Sequence, residues 1–407
     1  MAVSIDEIRA AAKTIQGAVP RTPLVGSGAL SEEFGADIHL KLETLHFTGS
    51  FKDRGALVKL RSLSKQAARN GVIAASAGNH AQGVAYHAKR LGIPATIVMP
   101  VSTPFTKVNR TEALGARVML HGDSVSACVP FAREMMAAEN LTFIHPFDDP
   151  HIIAGQGTVG LEILEDLPSV DTLIVPIGGG GLAAGIATAV KALQPGVEII
   201  GVEAALYPSM AQAVRGEKGT AGGETIAEGI AVKTPGTLTV PIVRDLVDDL
   251  VSADELTLED AVATMAVTAK LVAEGAGAAP LAAVMAARER FAGKTVALVV
   301  SGGNIDSRML ASVLMRGLVR DGQIARLRVT ISDAPGTLAR VAQNIGALGG
   351  NIVEIVHQRM FFDVPVKQAE ADIVVETRDE EHVEEIIAAL TADGFPTRRL
   401  GDTARTG

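Results

Sequence analysis

Lys52 stands in the run Gly49-Ser50-Phe51-Lys52-Asp53-Arg54-Gly55, directly after an aromatic ring and at the start of a helical pattern. A lysine amine at its solution pKa is almost wholly protonated at neutral pH. Covalent catalysis through it therefore needs a site that desolvates it or holds it as an imine. Taken alone, the stretch equally fits a solvated lysine in a first helical turn. Three further turns put glycine and polar residues after apolar runs. Gly178, Gly179, Gly180 and Gly181 precede Leu182 and a helix, where free N–H groups and the helix dipole favour a phosphate. Tight strand–helix packing is one alternative there. Another is a dinucleotide fingerprint, since Gly178, Gly180 and Ala183 have its spacing and Glu203 follows at the end of the next strand. Ser76-Ala77-Gly78-Asn79-His80 offers a hydroxyl, an amide and backbone donors suited to a carboxylate, with Asn79 close to the N-cap. Simple helix capping explains that turn as well. Ser301-Gly302-Gly303-Asn304 follows an apolar strand and offers a hydroxyl to a ring atom of a ligand.

Elements of two kinds must position these turns. Strands at Val72–Ala75, Ala95–Met99 and Arg117–Leu120 alternate with helices at His80–Leu91, Phe105–Leu114 and Val125–Ala138. A second series runs through strands at Thr172–Val175, Glu198–Val202 and Thr295–Val300, with helices at Leu182–Leu193, Leu258–Val272 and Pro280–Arg290. Such alternation predicts an α/β fold of two open parallel-sheet units, with ligands beyond the carboxyl ends of the strands. The large unit is expected over 1–71 and 148–318, the small one over 72–147. After the helix Ser307–Leu318 the order becomes βαββαβ over 324–402: strands Ile324–Ser332, Asn351–Arg359, Ala369–Glu376 and Pro396–Leu400, helices Gly336–Leu348 and Glu380–Ala392.

With 407 residues, 47% hydrophobic and 20% charged, the chain is an ordinary globular multidomain protein. A net charge of −9 gives no electrostatic reason to bind nucleic acid or anionic lipid. A lone Cys128 excludes an intramolecular disulfide and a cysteine zinc cluster. The uncharged run Leu173–Val190 approaches membrane-span length. Its proline and four glycines argue instead for buried strand, turn and helix. A cytoplasmic protein acting on small molecules is expected.

Together these turns, with Leu42-Glu43, Thr48, and Thr225-Ile226-Ala227-Glu228-Gly229-Ile230-Ala231-Val232, resemble the pyridoxal-phosphate enzymes of the tryptophan-synthase-β group. Within that group the chain is similar to the threonine dehydratases over about residues 5–318, with serine dehydratase and serine racemase as near relatives. The tail around Asp333-Ala334-Pro335-Gly336 and Asn351-Ile352 resembles an ACT domain, a ligand-sensing module. The resemblance implies pyridoxal 5'-phosphate held covalently by Lys52, with Phe51 against its ring and its phosphate on Gly178–Leu182. Asn79 would contact the ring hydroxyl and Ser301 the pyridine nitrogen. Residues 76 to 80 (Ser76, Ala77, Gly78, Asn79, His80) would clamp the substrate carboxylate. A neutral hydroxyl cannot hold the ring nitrogen protonated, which weakens the electron sink and favours prompt loss of a β-leaving group.

Racemases of this group carry serine at the position of Ala77, so racemisation here would lack its second acid–base group. Some relatives bind a divalent cation near Glu203, but Ser209 stands where a carboxylate ligand would be useful, and no metal is expected. The reading that follows is α,β-elimination from L-threonine, and from L-serine, to a 2-oxo acid and ammonia. A serine dehydratase or racemase relative, a β-replacement enzyme and a non-catalytic regulator are the alternatives. Asp333, Pro335, Gly336, Asn351 and Ile352 would bind an amino-acid effector, isoleucine or valine first, in a homodimer or homotetramer.

Overall fold

A computed structural model of the protein describes residues 3–358 and 367–401. By compactness the chain divides into two units that part between Asp306 and Ser307.

The first unit is built on two sheets. The larger has the strand order Leu24–Gly26, Asp37–Leu42, Thr295–Val300, Thr172–Pro176, Glu198–Ala204, Asp249–Ala253. Only its first pair is antiparallel. The smaller sheet is parallel throughout, in the order Arg117–Leu120, Ala95–Met99, Val72–Ala75, Thr142–Phe143. Parallel strands buried on both faces need continuous apolar runs, and Thr172–Pro176 and Ala95–Met99 are buried at every residue. The run Leu173–Val190 forms strand, turn and the buried helix Gly181–Leu193. Four strands escape the sequence pattern, the short Leu24–Gly26 and Thr142–Phe143 and two longer ones. Asp37–Leu42 carries a lysine that is buried because it pairs with Glu162, and Asp249–Ala253 is a half-exposed edge.

Two helices differ from expectation. The helix after Glu274 begins at Gly275 and ends at Ala286, with Pro280 inside it. Its glycines are dictated by close approach: a Cβ on Gly275 would lie 2.5 Å from the Ile226 carbonyl oxygen, and one on Gly277 2.3 Å from that of Gly302. The preceding helix, Glu255–Val267, stops before this crowded turn.

The second unit opens with the helix Ser307–Arg320, expected from the sequence to end the large unit. Its connection to the strand Ile324–Ser332 is only a short turn, and that continuity carries it with the C-terminal sheet. The sheet is antiparallel, in the order Asn351–Gln358, Gln368–Glu376, Ile324–Ser332, Thr397–Arg399. Alternate residues of the two central strands join Val341, Ile345, Val383, Ile386 and Leu390 of helices Thr337–Ala347 and Glu380–Ala392 in one core. The expected strand end at Arg359 lies outside the described residues.

Candidate active site

The loops after Val72–Ala75, Thr172–Pro176 and Thr295–Val300 and the start of helix Lys52–Arg61 gather four of the five predicted clusters. Lys52 reaches them through a short backbone pairing. Ser50 bridges Gly302, the Phe51 amide donates to the Ser301 carbonyl at 3.0 Å, and the Gly303 amide to that of Gly49 at 3.0 Å. Phe51 is the N-cap of the lysine helix, and its ring centroid lies 5.0 Å from Lys52 Nζ.

The helix is held against its neighbours without slack. A Cβ on Gly55 would lie 2.9 Å from the Ile152 carbonyl oxygen, and one on Gly155 2.6 Å from Gly55 Cα, so helices Lys52–Arg61 and Pro150–Asp166 touch backbone to backbone. Arg54, fully buried, donates to Glu43 at 2.7 and 2.9 Å and to Glu162 at 2.6 and 2.7 Å. Burial alone would raise Glu43, but Arg54 and His46 beside it hold its carboxyl well below the usual range.

Lys52 Nζ donates to the Pro146 carbonyl at 2.7 Å. Burial lowers its pKa to about 8, against the opposing charge of Glu274. Pro146 belongs to a stitch that no pattern in the sequence marks. His80 Nε2 meets the Ile144 carbonyl at 2.9 Å, and Asp148 accepts from the Thr237 and Leu238 amides at 2.9 and 2.8 Å. Within this stitch Phe147 lies flat against the glycine turn, where a Cβ on Gly179 would fall 2.2 Å from its ring. The lysine and the glycine turn are thus joined by two consecutive residues. His145 and Phe147 have no chemistry-bearing spacing, so nothing in the sequence announced them.

The glycine turn is a cradle. Gly180 has φ +93° and caps the helix Gly181–Leu193, and a Cβ there would meet Met210 and Thr239. The amides of Gly178, Gly179, Gly180, Gly181 and Leu182 donate to no protein acceptor among the described residues. Glu203 is not available to a ribose, as a dinucleotide fingerprint would require: its oxygens accept from the Met210 and Ala211 amides at 2.6 and 2.9 Å.

In the turn after Val72–Ala75, Gly78 rather than Asn79 is the N-cap of helix Asn79–Leu91. The Ser76 hydroxyl accepts from the Gly78 amide at 3.3 Å, while the amides of Ala77, Asn79 and His80 have no protein acceptor among the described residues. Burial, Lys52 and His145 drive the His80 pKa down to about 3, so its ring is neutral and donates to Ile144. Freed from capping, the Asn79 side chain meets Glu274 at 2.6 Å and Asn304 at 2.7 Å. Ser301 is buried, and its hydroxyl forms no hydrogen bond among the described residues.

A lysine lowered toward neutrality, a cradle of unengaged amides and a hydroxyl without a hydrogen-bond partner among the described residues fit a phosphorylated aromatic aldehyde. The sequence pattern of the pyridoxal-phosphate dependent enzymes matches residues 15–302. The chain belongs to this family. Relatives within it include the L-threonine ammonia-lyase of Thermotoga maritima, 44% identical over 98% of this chain and 100% of its own length. That of Geobacter sulfurreducens is 46% identical over 93% and 94%. Among solved structures, a threonine deaminase from T.th. is 40% identical with a TM-score of 0.71, covering 74% of this chain and 99% of its own. Maize serine racemase is 35% identical with a TM-score of 0.72, over 79% and 99%.

The C-terminal residues Asp333, Pro335, Gly336, Asn351 and Ile352 are not brought together. Ser332, next to Asp333, pairs with Gln368, whereas Asn351 and Ile324 both pair with Glu376. The two groups therefore lie at opposite ends of a strand about 27 Å long.

Proposed function

We propose that this member of the family is an L-threonine ammonia-lyase that converts threonine to 2-oxobutanoate and ammonia, and serine to pyruvate. The observation that carries the reading is the placement of Lys52 Nζ on the Pro146 carbonyl, beside the glycine turn through Phe147 and beside Ser301 through the Gly49–Phe51 pairing. The full-length relatives named for this activity support it. When bound, pyridoxal phosphate supplies an electron sink conjugated with the substrate Cα. The protein does the rest. Amides 178–182 hold a phosphate, the free amides of Ala77, Asn79 and His80 hold a carboxylate, and Ser301 meets the pyridine nitrogen as a neutral partner. Lys52 in its neutral form takes the Cα proton, the β-hydroxyl leaves as water, and the released enamine hydrolyses to the 2-oxo acid. Ala77 offers no proton on the opposite face, which favours elimination over racemisation.

Measuring 2-oxo acid release from threonine, serine and O-acetylserine side by side tests the reading. Threonine should lead. O-acetylserine leading would make the chain a β-replacement enzyme, and a protein that binds no pyridoxal phosphate would sink the proposal.

The C-terminal unit is proposed as an ACT-like effector domain in a homodimer or homotetramer. Because Asp333 and Asn351 sit at opposite ends of one sheet, an effector touching both needs a second copy to supply one of them. Isoleucine or valine is the first candidate, as threonine deamination begins isoleucine synthesis. Truncation after Gly317 should abolish the response to either amino acid; retained inhibition would place the effector elsewhere.

A further inference from the structure

Asn79 is clamped at both ends of its side-chain amide, and the clamp has only one consistent orientation. The Thr48 carbonyl can only accept, so Asn304 must turn its Nδ2 toward it, at 2.7 Å. The second N–H of that nitrogen then points at Asn79, whose facing atom must be the acceptor Oδ1, at 2.7 Å. Asn79 Nδ2 is left to donate to Glu274 Oε1 at 2.6 Å. The surroundings are shaped to fit. Gly49, at φ +74°, would carry a Cβ 2.8 Å from Asn304 Oδ1, and Gly302 one 2.4 Å from Glu274 Oε1. Two glycines are therefore spent on admitting the two side chains that grip Asn79.

We propose that Glu274 and Asn304 are positioning residues that lock the Asn79 amide in one orientation and keep its remaining N–H for an anionic ring oxygen of the cofactor. This rests on the pyridoxal-phosphate reading of the site and adds two residues that do not touch the reacting atoms. Burial raises the Glu274 pKa to about 7; the Asn79 bond, Lys107 and Lys52 oppose the shift, and Glu228 reinforces it. The Asn79–Glu274 bond is charge-assisted above that pH and weaker below it.

The decisive experiment is titration of cofactor-free protein with pyridoxal phosphate, read by fluorescence, beside its thermal midpoint. Glu274→Ala and Asn304→Asp should each weaken cofactor binding about tenfold or more, the size of a lost hydrogen bond to a charged group. Asn304→Asp cannot donate to Thr48 or Asn79, so it turns the amide rather than merely freeing it. Glu274→Gln keeps an acceptor of the same shape. It should bind within about threefold of the wild type at pH 8 and lose less affinity than the wild type on going from pH 8 to pH 6, the remaining loss being that of Lys52, which takes up its proton over the same range. Binding unchanged in Glu274→Ala overturns the proposal, as does equal damage in Glu274→Ala and Glu274→Gln. If the wild type binds no pyridoxal phosphate, the family role of the site fails, and the clamp is then judged separately by the Asn79 side-chain amide resonances of the cofactor-free protein. Glu274→Ala must shift them, and their standing still overturns the clamp.

Discussion

Lys52 holds its proton loosely because protein surrounds the amine, and one backbone carbonyl oxygen is the amine's only hydrogen-bond partner among the described residues. At a pKa of about 8, roughly a tenth of the amines are neutral at pH 7, against fewer than about one in a thousand for an ordinary lysine. The sign follows directly. Cofactor capture by the cofactor-free protein should quicken about tenfold from pH 6 to 7 and level off above pH 8, when followed by the growth of the visible absorbance band. Continued acceleration to pH 10 would mean that the amine keeps an ordinary pKa. Lys52→Ala should lose that band's sensitivity to borohydride together with all 2-oxo acid release. Gly302 gives a second test at this scale. A methyl group there collides with Glu274 and crowds Asn79 at 3.2 Å, so Gly302→Ala should cut kcat/KM by about tenfold or more while the fold survives. Such a residue shows in the sequence only as a glycine in a turn. The reason it is glycine, a carboxylate 28 positions earlier in the chain, does not.

Helix Lys52–Arg61 is the element on which the site depends, and its anchoring is non-local. Arg54, two residues beyond the lysine, spans Glu43 after the strand Asp37–Leu42 and Glu162 on helix Pro150–Asp166. Removing the arginine takes from the buried Glu43 and the part-buried Glu162 the cation they share, leaving only His46 beside the one and Lys41 beside the other, a loss of about 3–5 kcal/mol. Arg54→Met should therefore lower the unfolding free energy measured in urea by that amount, with activity falling in step, and a stability within experimental error of the wild type would show that the cluster is mere decoration. Legibility divides along the same line. Period and glycine punctuation made strands such as Val72–Ala75 and Thr295–Val300 readable, since what decides them is local burial. Lys52, the glycine cradle and Ser301 were legible because their neighbours carry the chemistry. Glu162, Pro146 and Phe147 were not, because each acts through a partner some thirty to a hundred positions away. Asn79 lies next to the N-cap as expected, but the helix starts there and not at His80: the Asn79 side chain is taken by Glu274 and Asn304, and Gly78 is the cap.

At the scale of the two-sheet unit, the turn proposed to bind the substrate carboxylate follows a strand of the smaller sheet and the glycine turn proposed to hold the phosphate follows one of the larger, so under that proposal their separation sets whether one substrate–cofactor pair is gripped at once. Lys107, on helix Phe105–Ala113 beside the smaller sheet, pairs with Glu228 at 2.6 Å, in the turn whose Ile230 backbone lies against Gly178. Both charges also act on Glu274. A pair as exposed as this one is worth at most about 1 kcal/mol. Reversing either charge, in Lys107→Glu or Glu228→Lys, should raise KM for threonine about three- to tenfold with a smaller change in kcat. Added salt should narrow the gap to the wild type, since both side chains reach solvent. Carrying both reversals in one chain restores the attraction with its sign exchanged, and KM should return to within about twofold of the wild type. A doubly reversed protein as poor as the worse single variant would mean that the two positions act on the site separately and not through their ion pair.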